Sequence, residues 1–237
     1  MGTKSSPVDY RYISKRLVRQ IVDEDKAGRS RWRFNGIPTP WGAIGLYREP
    51  VDRRNNFALV REATKIASDD TSTIAQGWGP YIRAELDLTI GIITVLGGWK
   101  NQWHVEIAAM KAEVVDAEVG RVFVAMFGSA SNYLGRKPVP DGLAEVPSDV
   151  DGLYGILDRT RELEDPEIEN YFLDRDLGYT PSSRAEIAEG MLNGPRFRGL
   201  RSERFDVLMQ SFSTDESTKP YDLVILGTPI WIAKPNT

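Results

Sequence analysis

The chain has 237 residues and a mass of 26.6 kDa, 41% of it apolar and 27% charged, enough for a sizeable core as one large domain or two small ones. With no cysteine and one histidine, His104, it excludes disulfides, thiolate nucleophiles, cysteine-ligated clusters and histidine-rich metal sites. A formal net charge of -4 leaves no global field to recruit nucleic acid or an anionic membrane.

Residues 1–9 read as a disordered polar tail, with no apolar core that would mark a signal peptide. Tyr10-Arg11-Tyr12-Ile13 predicts a short strand. Ser14 then stands as N-cap to a helix whose Leu17, Val18, Ile21 and Val22 form one stripe and which Gly28 ends. Arg29 to Pro50 is punctuated by Gly and Pro, with edge-strand candidates at Arg31–Phe34 and Trp41–Tyr47. Helical spacing returns from Asn55 to about Ala67 through Phe57, Val60, Ala63 and Ile66.

Tyr81 to Ile90 alternates without a break and predicts a strand running on to Ile93. Ile82, Ala84, Leu86, Leu88 and Ile90 line its inner face; Arg83, Glu85, Asp87 and Thr89 face water. Between Trp103 and Val115 the apolar phase shifts from Val105, Ile107 and Ala109 to Met110, Ala112 and Val114. A strand with a β-bulge accounts for that shift and is preferred; a helix is the alternative, because Glu106–Glu113 has high helix propensity. Arg121–Phe127 reads as a strand buried on both faces, and it runs into the small, polar, Gly-bounded segment Gly128–Gly135.

Pro138–Pro147 is a loop, and four helices are predicted after it. The first covers about Asp149–Leu163, with Leu153, Ile156 and Leu157 inward, and the second starts at Asp165-Pro166. The third has a capping box in Ser183 and Glu186 and a stop at Asn193-Gly194-Pro195. The fourth covers about Ser202–Phe212, with Phe205, Leu208, Met209 and Phe212 at helical spacing. Leu223–Leu226 is a central-strand pattern, interrupted by Gly227-Thr228-Pro229 and continued by Ile230–Ala233. The whole reads as α+β: a single domain over residues 10–237 whose largely antiparallel sheet carries packed helices. Its helical portion lies at about 148–213, and the C-terminal strand is inserted in the sheet.

Several of these segments resemble a bacterial, mainly actinobacterial family of unknown function. They are Tyr10-Arg11-Tyr12-Ile13-Ser14, Val124 to Gly135, Leu192-Asn193-Gly194-Pro195 and Leu226 to Ala233. The resemblance implies a single domain and brings no activity with it. Members of the family show a glycine–serine pair followed by a histidine or similar polar residue; here Asn132 or Tyr133 stands there, which argues against catalysis. It also implies a sensor or adaptor role in a bacterial signalling or defence system.

Gly128, Ser129, Ser131 and Asn132 offer backbone N–H groups and hydroxyls to a phosphate or carboxylate, without the lysine and spacing of a P-loop; a plain strand-to-helix turn is the alternative. Arg196 and Arg198, with Arg201 and Arg204, interleave with Phe197 and Leu200 and are the candidate cations for that ligand, unless they are ordinary surface ion pairs with the acidic residues between Asp149 and Asp176. His104 reads as structural. The pairs Glu85/Asp87, Asp149/Asp151 and Asp174/Asp176 lack the density of a metal loop. Tryptophans 32, 41, 78, 99 and 103 fall near turns or strand ends, as groove or interface rings do.

The expectation is a cytoplasmic, non-enzymatic binding module with no cofactor and no metal, for an anionic small molecule or a protein partner. No membrane span and no nucleic-acid partner are expected, and homo-oligomerisation stays open. A hydrolase or transferase using the Gly128–Gly135 segment is one alternative, and a structural or oligomer-forming protein another.

Overall fold

The computed structural model describes residues 8–29, 56–74, 80–97, 103–134, 155, 157–158, 183–216 and 220–235. Its strands are β1 (Tyr10–Ile13), β2 (Thr71–Ser72), β3 (Tyr81–Gly97), β4 (Trp103–Asp116), β5 (Gly120–Ser129), β6 (Ser202–Glu216) and β7 (Leu223–Ala233). The helices are α1 (Lys15–Arg29), α2 (Asn56–Ala67) and α3 (Arg184–Asn193).

The unbroken alternation of β3 makes it long enough to serve two neighbours. Residues Tyr81–Thr89 pair with β6, and Thr89–Gly97 pair with β4. From there β4 pairs with β5, β5 with β7, and β7 with β6, so five strands close into a barrel. Of the strand pairings, β5–β7 and β2–β3 are parallel and the other five are antiparallel. The antiparallel expectation therefore holds only in part, and the closure and the parallel seam were not anticipated. Numbered within the barrel, the ring order is 1-2-3-5-4, and α3 lies in the connection between the third and fourth strands. That is the connectivity of an OB-type barrel.

Alternation sorts the side chains into layers. Ile82, Leu86, Leu88, Met110, Val124, Phe205, Val207 and Ile225 fill the barrel. Ile107, Ala109, Phe123, Phe127, Val224 and Leu226 face outward and are covered by Ile187, Met191 and Leu192 of α3. On another side α1 and α2 pack through Leu17, Val18, Ile21, Leu59, Val60 and Ala63 against Leu208, Ile230 and Trp231. Every residue of β7 is buried, because it has the barrel on one face and helices on the other.

Four local expectations need correcting. Residues 202–212 are strand β6, not helix. The spacing of Phe205, Leu208, Met209 and Phe212 suits a helix, but Phe205, Val207 and Met209 also alternate, and the open edge of β3 supplies the partner. The phase shift in β4 is no bulge, since both of its ladders run in continuous register. Instead its outer face is apolar at Ile107 and Ala109, where α3 lies, while Ala108, Met110 and Ala112 line the interior. Gly227-Thr228-Pro229 does not break β7; the strand runs through it, and its register against β6 slips between Leu208 and Met209, a bulge that tolerates the proline. Ser14 precedes α1, but its buried Oγ has no hydrogen-bond partner and caps nothing.

Other expectations agree with the structure. β1, α1, α2 and the capping box of α3 stand where the sequence places them, with Ser183 Oγ accepting from Glu186 N and Glu186 accepting from Ser183 N. Gly155 and Leu157–Asp158 are helical, within the predicted 149–163. The strand candidates at 31–34 and 41–47, the helix at 165, tryptophans 32, 41, 78 and 99, and the side chain of His104 lie outside the described residues.

Candidate functional site

The predicted Gly128–Asn132 segment sits where two strand ends meet. β5 runs parallel to β7 as far as Met126 opposite Gly227. β1 runs antiparallel to β7 from Ala233 to Trp231. Their C-terminal ends therefore approach each other head to head, leaving Thr228–Ile230 of β7 between them. Tyr12 locks the junction: its ring is fully buried, Asn132 Nδ2 donates to its hydroxyl at 3.3 Å, and Tyr133 bridges to it. Gly128 is required here, because a Cβ would lie 2.2 Å from the Tyr12 hydroxyl.

Ser129 is buried at the end of β5, and its Oγ accepts from Ser131 N at 3.4 Å and lies 2.8 Å from Ser131 Oγ. Ser131 is exposed. The four turn residues are thus brought together, but Arg196 and Arg198 are not. Both are exposed beside Phe197, whose ring atoms come within 2.9 Å of where a Cβ on Gly91 would sit. Gly91 pairs with Ala109 and Ala109 with Phe127, which sets the two arginines two strands away across the outer wall. At the ordinary spacing of strands that is roughly 10 Å. Arg204 pairs with Glu85 at 3.6 Å and Asp87 at 3.2 Å, a surface ion pair whose partners lie on β3.

A second place was not anticipated. A cleft of about 380 Å³ opens between α2 and the outer wall of the barrel, lined by Tyr10, Arg61, Thr64, Lys65, Arg83, Asp206, Trp231 and Lys234 among others. Trp231 forms its floor and donates from Nε1 to Thr64 Oγ1 at 2.9 Å, while Thr64 Oγ1 donates to Val60 O at 2.7 Å. Arg83 donates two hydrogen bonds to Asp206, at 2.8 and 3.3 Å, and its guanidinium lies 5.5 Å from the Trp231 ring centre. The bond to Asp206 holds Arg83 above the ordinary arginine pKa. Lys234 is engaged by Glu203, whose carboxyl it holds below the usual range, and sits over the Phe205 ring.

Arg61 and Lys65 differ from these. Spaced i,i+4, they project from the same side of α2, both exposed, and their side chains make no ion pair or hydrogen bond among the described residues. Burial raises the Tyr10 pKa, and nearby Arg61 opposes that shift. The cleft thus holds two uncommitted cations above an aromatic floor. In the sequence the only trace of it is a basic residue recurring after four positions beside the stripe of Leu59, Val60 and Ala63.

Among the described residues no three His, Cys, Asp or Glu side chains converge as a metal site, and no helix is long and apolar enough to cross a membrane. Comparison with protein-family models, curated proteins and solved structures gives no match.

Proposed function

We propose that this chain is a non-enzymatic binding module that takes an anionic ligand in the cleft between α2 and the barrel. The observation that carries this reading is the pair Arg61 and Lys65, one helical turn apart in the cleft and without an ion pair among the described residues, while Arg83 pairs with the cleft's carboxylate, Asp206, and Lys234 with Glu203. A phosphate or carboxylate bridging two such cations makes charge-assisted hydrogen bonds, each contributing roughly 1.5–3 kcal/mol. A role as a ligand sensor or adaptor in bacterial signalling or defence is consistent with this reading.

Nucleic acid is a poorer occupant. OB-type barrels bind oligonucleotides on the face of their second and third strands. Here those strands are β4 and β5, and α3 covers their outer face. The hydrolase or transferase alternative has less support as well, since Ser129 shares its hydroxyl hydrogen bond with Ser131, a pair that contains no general base.

Isothermal titration with inorganic pyrophosphate tests the proposal. The intact chain should bind, and Arg61→Ala/Lys65→Ala should weaken binding tenfold or more while thermal stability stays unchanged. Undiminished affinity in the double variant, or no heat with the intact chain, would refute it.

A further inference from the structure

The cleft is larger than the anion assigned to it. Its volume of about 380 Å³ falls among pockets that enclose whole organic molecules, roughly 300–1,000 Å³, and far exceeds what a phosphate or pyrophosphate fills. Strand register accounts for the space. Tyr10 pairs with Ala233, and Ala233 with Asp206, so a single methyl group stands in the wall between a ring and a carboxylate.

Arg83, on the next strand, does more there than neutralise Asp206. Its Nε and Nη2 donate to the two carboxylate oxygens, which holds one edge of the guanidinium. The buried Trp231 ring backs it, 5.5 Å from the guanidinium carbon to the ring centre. The side chain nevertheless keeps 50% of its surface exposed. With one edge and one face taken, the opposite face and Nη1 are what it offers to the cleft it lines. A guanidinium fixed in this way is a planar, weakly hydrated plate that stacks on aromatic rings, as a lysine ammonium does not. The Tyr10 hydroxyl feels the charges of Arg61, Asp206 and Arg83 together, so the plate and the anion-binding end border one space.

We infer that the ligand of the cleft is of the nucleotide class: a planar heteroaromatic ring stacks on Arg83, and its phosphate lies on Arg61 and Lys65. This rests on the reading that those two cations take the anion. The class follows and the base does not, because every base has a π-face to stack.

Isothermal titration with AMP and with ribose-5-phosphate tests it, since the two share sugar and phosphate and differ by the ring. The intact chain should bind AMP at least about fivefold more tightly than ribose-5-phosphate. Arg83→Lys keeps a cation for Asp206 and loses the plate, so the preference should fall below about twofold. Equal affinities in the intact chain would overturn the inference, as would a preference that survives Arg83→Lys. AMP binding undiminished in Arg61→Ala/Lys65→Ala would place the nucleotide elsewhere and overturn it too. If Arg83→Lys does not fold, the intact chain and the cleft variant still decide. Pyrophosphate separates the two failures: pyrophosphate bound without any preference for AMP removes the nucleotide alone, and if neither ligand binds, both readings fall.

Discussion

At the scale of single residues, the junction depends on what is missing from Gly128. The Tyr12 hydroxyl occupies the space a side chain there would need, and the ring behind it is fully buried. Tyr12 can retreat only by losing its Asn132 hydrogen bond and its place in the barrel. Gly128→Ala should therefore cost about 1–3 kcal/mol of unfolding free energy, the usual range for overpacking, read as a lower denaturant midpoint at unchanged slope. A midpoint equal to that of the parent would show that Tyr12 yields freely. In the sequence Gly128 stands only as part of a small, polar, Gly-bounded segment, and a glycine lets another group come close. The sequence could not name Tyr12 as that group, because 116 positions separate the two and only the pairing of β1 and β5 along β7 joins them.

At the scale of elements, α3 was readable because everything that defines its start is local. Ser183 and Glu186 cap each other within one turn, and Gly194 follows Asn193 as the stop. Ser183→Ala should cost about 1 kcal/mol, seen in the unfolding midpoint; no change would mean that packing alone holds the helix end. β6 was misread for the opposite reason. Its residues satisfy two periods at once, and the partner strands that decide between them lie more than 100 residues upstream and just downstream. The seat of α3 adds a pH dependence. Lys111 Nζ donates to Asn193 Oδ1, Asn193 Nδ2 donates to the Tyr221 hydroxyl at 3.4 Å, and Tyr221 stacks on Phe123. Burial, with Glu113 second, raises the Tyr221 pKa far above its ordinary value. The raised pKa means the folded state favours the neutral phenol, so this stability is complete below about pH 10 and is lost as pH rises beyond it. Denaturant titrations from pH 8 upward should show that decline, shallower in Tyr221→Phe. An unchanged slope in that variant would assign the decline to Tyr10 and Tyr81, whose pKa values burial also raises.

At the scale of the whole molecule, the alternation of β3 and the apolar run of β7 could be read in advance, but the closure could not. A barrel closes through register, and register is set by which strands meet. Nothing within Leu223–Ala233 says that it will take β5 on one edge in parallel and β6 on the other in antiparallel. The cleft was hidden for the same reason, since it exists only where α2 meets Tyr10, Arg83 and Trp231.

The closed ring predicts how the molecule unfolds. Ile225 pairs with Val124 on one side and Thr214 on the other, and its side chain is fully buried inside the barrel. Outside the barrel, its neighbours Val224 and Leu226 anchor α3, while Ile230 and Trp231 of the same strand anchor α1 and α2. Both helical layers therefore stand on one strand. Ile225→Ala should cost about 2–5 kcal/mol, the transfer term plus the cavity left behind. That loss should appear equally at both layers: amides of α1 around Val18 and of α3 around Met191 should lose the same free energy of hydrogen-exchange protection. If α3 loosens while α1 keeps its protection, the two sides unfold separately and β7 is not the strand that couples them.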